Sequence, residues 1–356
     1  MFTPLLYFET VSTGFATPKS RSQSKTKNQA GVLESSLSIM FTPVQSLLGG
    51  SLLFASTTAL AAYNGKVAGI SGIVNGLVWG DSTPSRLFFI LGMAATAVTL
   101  RFGTSNGATQ NIPVFPFSMA KALIAGLLVG AGTKLGSGCT SGHMLCGIAR
   151  FSKRSIVASA TFFTTGVITV YLTGGVPYRY GTSYPSNDEL GQILGCIAVA
   201  ATIFKLLPTI LKNKVNNATS QVVVSFFSGL TFALGLYFSG MTNADKVRGF
   251  LDLTRPQRWD PSLMMVVFGG LVPNTIAYQF FLKNEAKPEF NASFDWPTKK
   301  NIDSKLVIGS ALFGIGWGLC GVCPGPGLVT LFARPSLNIA AFWASYLLGS
   351  RAVQNI

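Results

Sequence analysis

Five cysteines carry the first chemical signal in this sequence: Cys139, Cys146, Cys196, Cys320 and Cys323. Cys139 lies in GSGCTSGHMLCG and Cys323 in GLCGVCPGPG, each at a glycine-rich break in an otherwise apolar run. A neutral thiol there offers a weak S–H donor and a polarisable acceptor, which suits a soft, sulfur-containing anion. A thiolate fits less well, because its charge would repel the anion, although a helix N-terminus lowers a cysteine pKa. Cys320 and Cys323 also form CxxC, a spacing used for redox work or zinc. No second CxxC and no nearby histidine completes a metal set, so neither a metal nor another cofactor is expected. A membrane-embedded thiol–disulfide or sulfur-transfer protein using Cys320 and Cys323 is the enzyme-class alternative. Cys146, one or two helical turns past Cys139, belongs on the same passage, and Cys196 is assigned to packing.

The residues around these cysteines fit an anion path. Gly138, Gly142, Gly321, Gly325 and Gly327 allow close backbone approach, and Thr140 and Ser141 add hydroxyl donors. Pro324 and Pro326 suit a helix start. Lys134 is the one cation next to a break on the inner side, with snorkelling to the interface as its other role. His143, the single histidine, is expected to bond backbone at the break. Arg150 and Arg334 are read as helix C-terminal partners, with anion recruitment at the mouths as the second reading.

Such residues need elements to hold them, and the composition names the solvent. Charged residues make up 11% of 356, where soluble domains carry about 25%. The hydrophobic share is 48% and the mean hydropathy is +0.44. The net charge of +15 is spread thinly between apolar runs, which excludes a nucleic-acid binder. All twelve acidic residues lie outside or at the ends of those runs, which disfavours a cation pump. The expected fold is an all-α polytopic membrane protein.

Apolar runs long enough to cross about 30 Å of hydrocarbon fall near 45–63, 86–103, 118–136, 153–174 and 189–211. Four more fall near 219–240, 261–282, 305–320 and 336–350, giving about nine transmembrane helices. The stretches 65–80, 138–150, 242–254 and 321–334 are too apolar for loops and too broken to cross. Non-helical backbone at membrane depth needs protein or a cavity to satisfy it, so these are read as four re-entrant half-helices. Residues 1–44 are read as a disordered polar tail, with Met1 and Met40 as two candidate starts. Glu9 and Glu34 argue against a mitochondrial presequence, so the plasma membrane is favoured over the mitochondrial inner membrane. The Lys/Arg excess in 212–218 and 283–304 places those loops on the cytoplasmic side.

The chain also repeats itself. At an offset of 184, Gly130, Gly132, Leu135, Cys139, Ala149, Arg150 and Ser152 fall on Gly314, Gly316, Leu319, Cys323, Ala333, Arg334 and Ser336. At 180, Lys66, Val67, Gly69 and Trp79 fall on Lys246, Val247, Gly249 and Trp259. The first repeat spans 45–175, a connecting span and loops 176–218, and the second repeat 219–356. Four spans plus one connecting span is odd, so the second copy enters from the opposite side. That inverted-topology repeat is common in transporters, with the site near the midplane where broken helices meet. Half-helices ending there aim unpaired N–H groups and positive dipole ends at one place, a site for an anion.

At these strings the sequence resembles the YeeE/YedE sulphur-transport family. The resemblance is carried by GAGTKLGSGCTSGHMLCGIARFSKRS at 130–155, SGMTNADKVRGFLDL with WDPSL at 239–263, GIGWGLCGVCPGPGLVTL at 314–331 and NGKVAGISGI at 64–73, and covers about 45–350. It implies nine spans with re-entrant helices and a permease for a small inorganic sulfur anion, thiosulfate first. Two of the family's cysteines correspond to Cys139 and Cys323, which are expected to pass the anion through S–H contacts. Bacterial members carry a further cysteine near the first break, whereas GKVAGIS has none, which leaves sulfite, sulfide or another soft anion open. The expected partners are that anion, the lipid bilayer and a sulfur-accepting protein on the cytoplasmic side, with no nucleic acid.

Overall fold

The computed structural model describes residues 39–102, 112–176, 178–212 and 214–355. Most of the expected polar tail, residues 1–38, therefore lies outside the described residues. Its last part, expected as tail through residue 44, is structured instead. Ile39–Phe41 form β1, which pairs in parallel with β2, Tyr178–Thr182. Helix α1 then runs over Pro43–Asn64, started by proline in its first turn, where a missing N–H costs nothing.

The rest is helical. A short α2 (Ile70–Trp79) precedes α3 (Pro84–Phe102) and α4 (Met119–Leu135), and a second short helix, α5 (Ser141–Ile148), precedes α6 (Lys153–Leu172). Helix α7 (Asn187–Leu211) connects to α8 (Asn217–Phe238), short α9 (Ala244–Leu251) and α10 (Ser262–Asn284). The chain closes with α11 (Ser304–Cys320), short α12 (Pro324–Ala333) and α13 (Leu337–Ala352). Among the described residues, seven helical runs are long and apolar enough to cross a membrane: α1, α3, α6, α7, α8, α10 and Ser304–Ala333. Helices α4 and α13 are shorter, with 17 and 16 residues. Large apolar side chains such as Leu172, Phe280, Leu337 and Leu348 stand exposed on the outside, as suits a protein whose solvent is lipid.

Packing places α4 between α11 and α13, α8 between α1 and α3, and α11 against α6. These crossings are close because glycine faces backbone. A Cβ on Gly130 would stand 2.0 Å from the Tyr346 carbonyl oxygen, and one on Gly314 would stand 2.3 Å from that of Phe162. Small residues at contacts are the usual route to tight helix packing in lipid. Phe162, Phe313 and Trp317 then fill the α6–α11 seam, with ring centroids 5.2 to 6.1 Å apart.

Because backbone cannot step aside, Gly130→Val and Gly314→Val should each destabilise by about 1–3 kcal/mol, as overpacking does. Detergent-solubilised variants should melt several degrees below the parent by fluorescence-monitored gel filtration. Gly191→Ala, where a Cβ meets nothing within 4 Å, should not.

Candidate functional site

The four short helices meet at their N-termini. The Ile70 N–H that opens α2 donates to Ser141 Oγ at 3.1 Å, which ties α2 to the start of α5. Thr140 Oγ1, at that same start, lies 3.4 Å from Cys323 Sγ at the N-cap of α12. The turn before α12 passes over α9: Gly321 has φ 62°, and a Cβ there would lie 2.0 Å from the Ala244 carbonyl oxygen. Only glycine meets both demands. The α9 end is capped by Asn243, whose side chain accepts from Asp245 N and Lys246 N.

A cavity of about 90 Å³ lies at this meeting point. Cys139, Thr140, Ser141, Gly321, Cys323 and Gly325 line it, with Phe232, Phe250, Trp317, Met144 and Met241 as apolar walls. Cys139 Sγ is 3.3 Å from Ser141 Oγ. The cavity, here the throat, therefore offers two thiols and two hydroxyls in an apolar shell with no charged group in its lining.

Beside it opens a larger cavity of about 460 Å³, the vestibule. Gly69, Gly138, Gly142 and His143 face it, while their neighbours Ile70, Cys139 and Ser141 face the throat, so one thin layer of backbone separates the two. Gly69 and Gly142 touch across that layer, where a Cβ on either would be 3.7 Å from the other's Cα. His143 braces it, with Nε2 3.0 Å from Gly136 O and Nδ1 3.1 Å from Ser155 Oγ. A carbonyl can only accept, so Nε2 carries the proton of the neutral ring and Nδ1 accepts from Ser155. The vestibule walls are basic: Lys66, Arg86, Arg150, Arg154 and Lys299, against Asp81 and Asp295.

Around the start of α9 the elements are tied to one another. Lys246 Nζ lies 3.2 Å from the fully buried Asp260 and donates to Met40 O in β1 at 2.8 Å. Thr42 N donates to Ser262 Oγ at 2.8 Å, and Ser262 Oγ donates to Asp260. Arg248 is packed between Asp245 and the ring of Phe117.

Of the residues picked from the sequence, Cys139, Thr140, Ser141, Gly321, Cys323, Gly325 and Pro326 line the throat, and Gly138, Gly142, His143 and Arg150 the vestibule wall. Cys146 faces a small pocket of about 20 Å³ that also holds Lys66 and Arg150. Cys320 is buried away from both cavities, its Sγ 3.7 Å from Lys121 O. Lys134 lines neither cavity and sits in the last turn of α4. All five cysteines are free. Lys66, Ser71, Arg86, Arg154 and Lys299 were not singled out as site residues. The lone polar residue in the first turn of α2, Ser71, was the one local signal.

Comparison with known proteins gives the class. A family described as sulphur transport matches residues 3–169, and a family of unknown function matches 220–353. A "Probable transporter" of Xylella fastidiosa (strain Temecula1 / ATCC 700964) is 41% identical over 133 residues, which is 36% of this chain and 93% of that relative. A second one from the same strain is 37% identical over 142 residues, 38% of this chain and 93% of the relative. With its long apolar helices, the protein is an integral, multi-pass membrane transporter. More particularly, the chain belongs to the YeeE/YedE-like sulphur-transport family.

One electrostatic contact at the vestibule rim is open to a direct test. Asp303 caps α11, accepting from Leu306 N at 3.0 Å, and holds Lys299 at 2.9 Å and Arg154 at 3.3 Å. The Lys299 ammonium first, then the Leu306 N–H and Arg154, hold its carboxyl well below the usual carboxylate range. A depressed folded-state pKa stabilises above the unfolded value of about 4 and is lost as pH falls through the folded one. Asp303→Asn should therefore melt below the parent at pH 7, and the gap should close as both are taken to acid.

Proposed function

We propose that this protein is a plasma-membrane permease for a small sulfur-containing inorganic anion, thiosulfate before others, passed through the thiol-lined throat. The observation that carries this reading is the pairing of Cys139 and Cys323. They lie 184 positions apart at corresponding breaks, line one cavity, and are joined through Thr140, which touches Cys323 Sγ at 3.4 Å.

The reading takes the four short helices as re-entrant and counts nine crossings, with two copies of one unit in opposite senses. Several contacts support the duplication. Gly130 packs on Tyr346 and Gly314 on Phe162, and adding 184 to 130 and 162 gives 314 and 346. Gly132 likewise meets Phe313, and Gly316 meets Val129, another exchange-related pair. The two family matches fall on separate halves, and the relatives are covered almost end to end by little more than a third of this chain.

Chemically, a sulfur oxyanion entering the throat gives up water, and neutral donors must replace it. S–H and O–H groups from Cys139, Cys323, Thr140 and Ser141 do so without fixing a counter-charge that would hold the ion. The terminal sulfur of thiosulfate is soft and polarisable, a match for thiol and thioether walls. A sulfur-accepting protein on the cytoplasmic face would complete the path. The thiol–disulfide alternative has less behind it, because Cys320 and Cys323 face different partners, Lys121 and Thr140.

Reconstituted protein should accumulate radiolabelled thiosulfate in proteoliposomes. A hydrogen bond to a charged group is worth roughly 1.5–3 kcal/mol, so Cys139→Ala and Cys323→Ala should each slow uptake about tenfold or more. Cys320→Ser should not. Undiminished uptake in both alanine variants would remove the cysteines from the path, and dependence on Cys320 would favour the thiol–disulfide chemistry.

A further inference from the structure

The two halves place a lysine at corresponding positions, Lys66 and Lys246, and treat it differently. Lys246 is neutralised by Asp260 at 3.2 Å. Lys66 Nζ donates to Ser85 Oγ at 2.9 Å, and no carboxylate lies within ion-pair distance of it among the described residues. The same holds for two more vestibule cations. Arg86 donates to the Asp81 carbonyl oxygen at 2.6 Å, and Arg150 donates to Cys146 O at 3.1 Å and stacks over Trp296. Asp81 and Asp295 share the cavity wall, yet neither carboxylate pairs with them. Arg154 and Lys299 are already held by Asp303. One cavity thus collects three cations without an ion-pair partner among the described residues, Asp295 acting on Lys66 only at longer range.

A second observation points at the same place. Ser71 Oγ is buried, lines the vestibule and has no hydrogen-bond partner. It stands in the first turn of α2, a ten-residue helix whose N-cap, Gly69, supplies no side-chain acceptor. First-turn N–H groups lack acceptors within their own helix. Ile70 N and Ile73 N find Ser141 Oγ and Gly69 O, while Ser71 and Gly72, which both line the vestibule, have no such acceptor for their N–H groups among the described residues. Gly72 leaves that approach clear, since a Cβ on it would meet nothing within 4 Å.

We propose that the vestibule holds a binding site of its own for divalent tetrahedral oxyanions, formed by Lys66, Arg150, Ser71 Oγ and the first turn of α2. Its donors are hard N–H and O–H groups aimed at oxygens, so it takes sulfate as readily as thiosulfate. The throat behind it holds thiols and no cation, so it favours the ion that carries a soft sulfur. Selection is split: charge and oxygen in the vestibule, sulfur in the throat. The second half of this statement rests on the permease reading; the site itself does not.

The test is a calorimetric titration of the purified full-length protein in detergent with sodium sulfate, using sodium chloride as the ionic-strength control. Sulfate should bind saturably. Lys66→Gln and Arg150→Gln should each weaken it about tenfold, the value of one charge-assisted bond, with Lys66→Arg restoring most of it. Ser71→Ala should weaken it a few-fold, and Gly191→Ala, which touches neither cavity, should leave sulfate affinity unchanged. In proteoliposomes, sulfate on both faces should slow thiosulfate uptake without labelled sulfate accumulating. Absence of saturable sulfate binding by protein that elutes and melts like the parent would overturn the site, as would unchanged affinity in the Lys66→Gln, Arg150→Gln double variant. Sulfate accumulating as fast as thiosulfate would overturn the split selection. Sulfate binding with no thiosulfate uptake would uphold the site and sink the permease reading.

Discussion

Everything at the centre of this protein depends on satisfying backbone groups where helices break inside an apolar body. An N–H or C=O left unpaired there costs several kcal/mol, with no water to make up the loss. The breaks are therefore closed by individually placed side chains. Ser141 receives the first N–H of α2, and His143 takes the Gly136 carbonyl just beyond α4. Helix α5 is wound in the wider π form, and α10 reaches into it: Asn274 donates to Leu145 O at 2.9 Å and Gln279 to Ala149 O at 3.1 Å. Helix α10 itself carries π-helical stretches on either side of Pro273, whose ring removes a donor from the ladder. Hydroxyl, imidazole and amide groups thus hold the backbone within a few residues of Cys139 and Cys146. The throat keeps its shape because its walls are the solution to a hydrogen-bonding problem.

The two mouths show how similar sequences reach unlike electrostatics. Burying Lys246 with Asp260 strips both ions of water, and such pairs rarely repay that cost in stability. What the pair secures is position. It draws together β1, the start of α9 and the start of α10, with Thr42 and Ser262 completing the knot. On the vestibule side the corresponding lysine has no such partner, and the cavity stays wide and positive. On the proposed permease reading, an anion would be drawn to that side by charge and would meet the Lys246–Asp260 ion pair on the other. This difference gives the molecule a direction that its internal repetition alone would not.

Much of the helical order was legible because its signals are local. Apolar length and Gly/Pro interruption marked out α2, α5, α9 and α12 within a few residues, and Cys139 and Cys323 stood out through their shared register. Of the vestibule cations only Arg150 was picked out, with anion recruitment at a mouth as its second reading; Lys66 and Lys299 come from distant segments and no pattern links them to it. Its rim was read as a polar loop over 283–304, yet Phe290 N reaches Tyr63 O and Asp295 N reaches Gly65 O, folding the loop over the end of α1. Lys134 and Cys320 were chosen for nearness in sequence. Helical geometry turned Lys134 away, and the left-handed residue Gly321 separates the directions of Cys320 and Cys323. The β1–β2 pair is too short to carry a periodic pattern at all.

A cationic throat would seem the simpler way to pass an anion, and the reason against it is kinetic. A fixed charge at close range in a low-dielectric wall binds its counter-ion strongly, and conduction needs a site weak enough to leave. Removing every charge from the throat exposes the opposite hazard, the loss of hydration. The arrangement here lies between these limits. Cations gather in the wider vestibule, apart from the thiols. The throat supplies short-range, neutral donors together with the partial positive charge of helix N-termini, about half an elementary charge each. Thiols suit this place better than hydroxyls alone, because their larger, polarisable sulfur keeps contact with an ion whose own sulfur is equally diffuse, and their weak hydrogen bonds are readily broken. On the proposed reading, a cavity of about 90 Å³ would admit a small ion only after most of its water is gone. On that reading, recognition of the sulfur and release of the ion would follow from the same weak contacts.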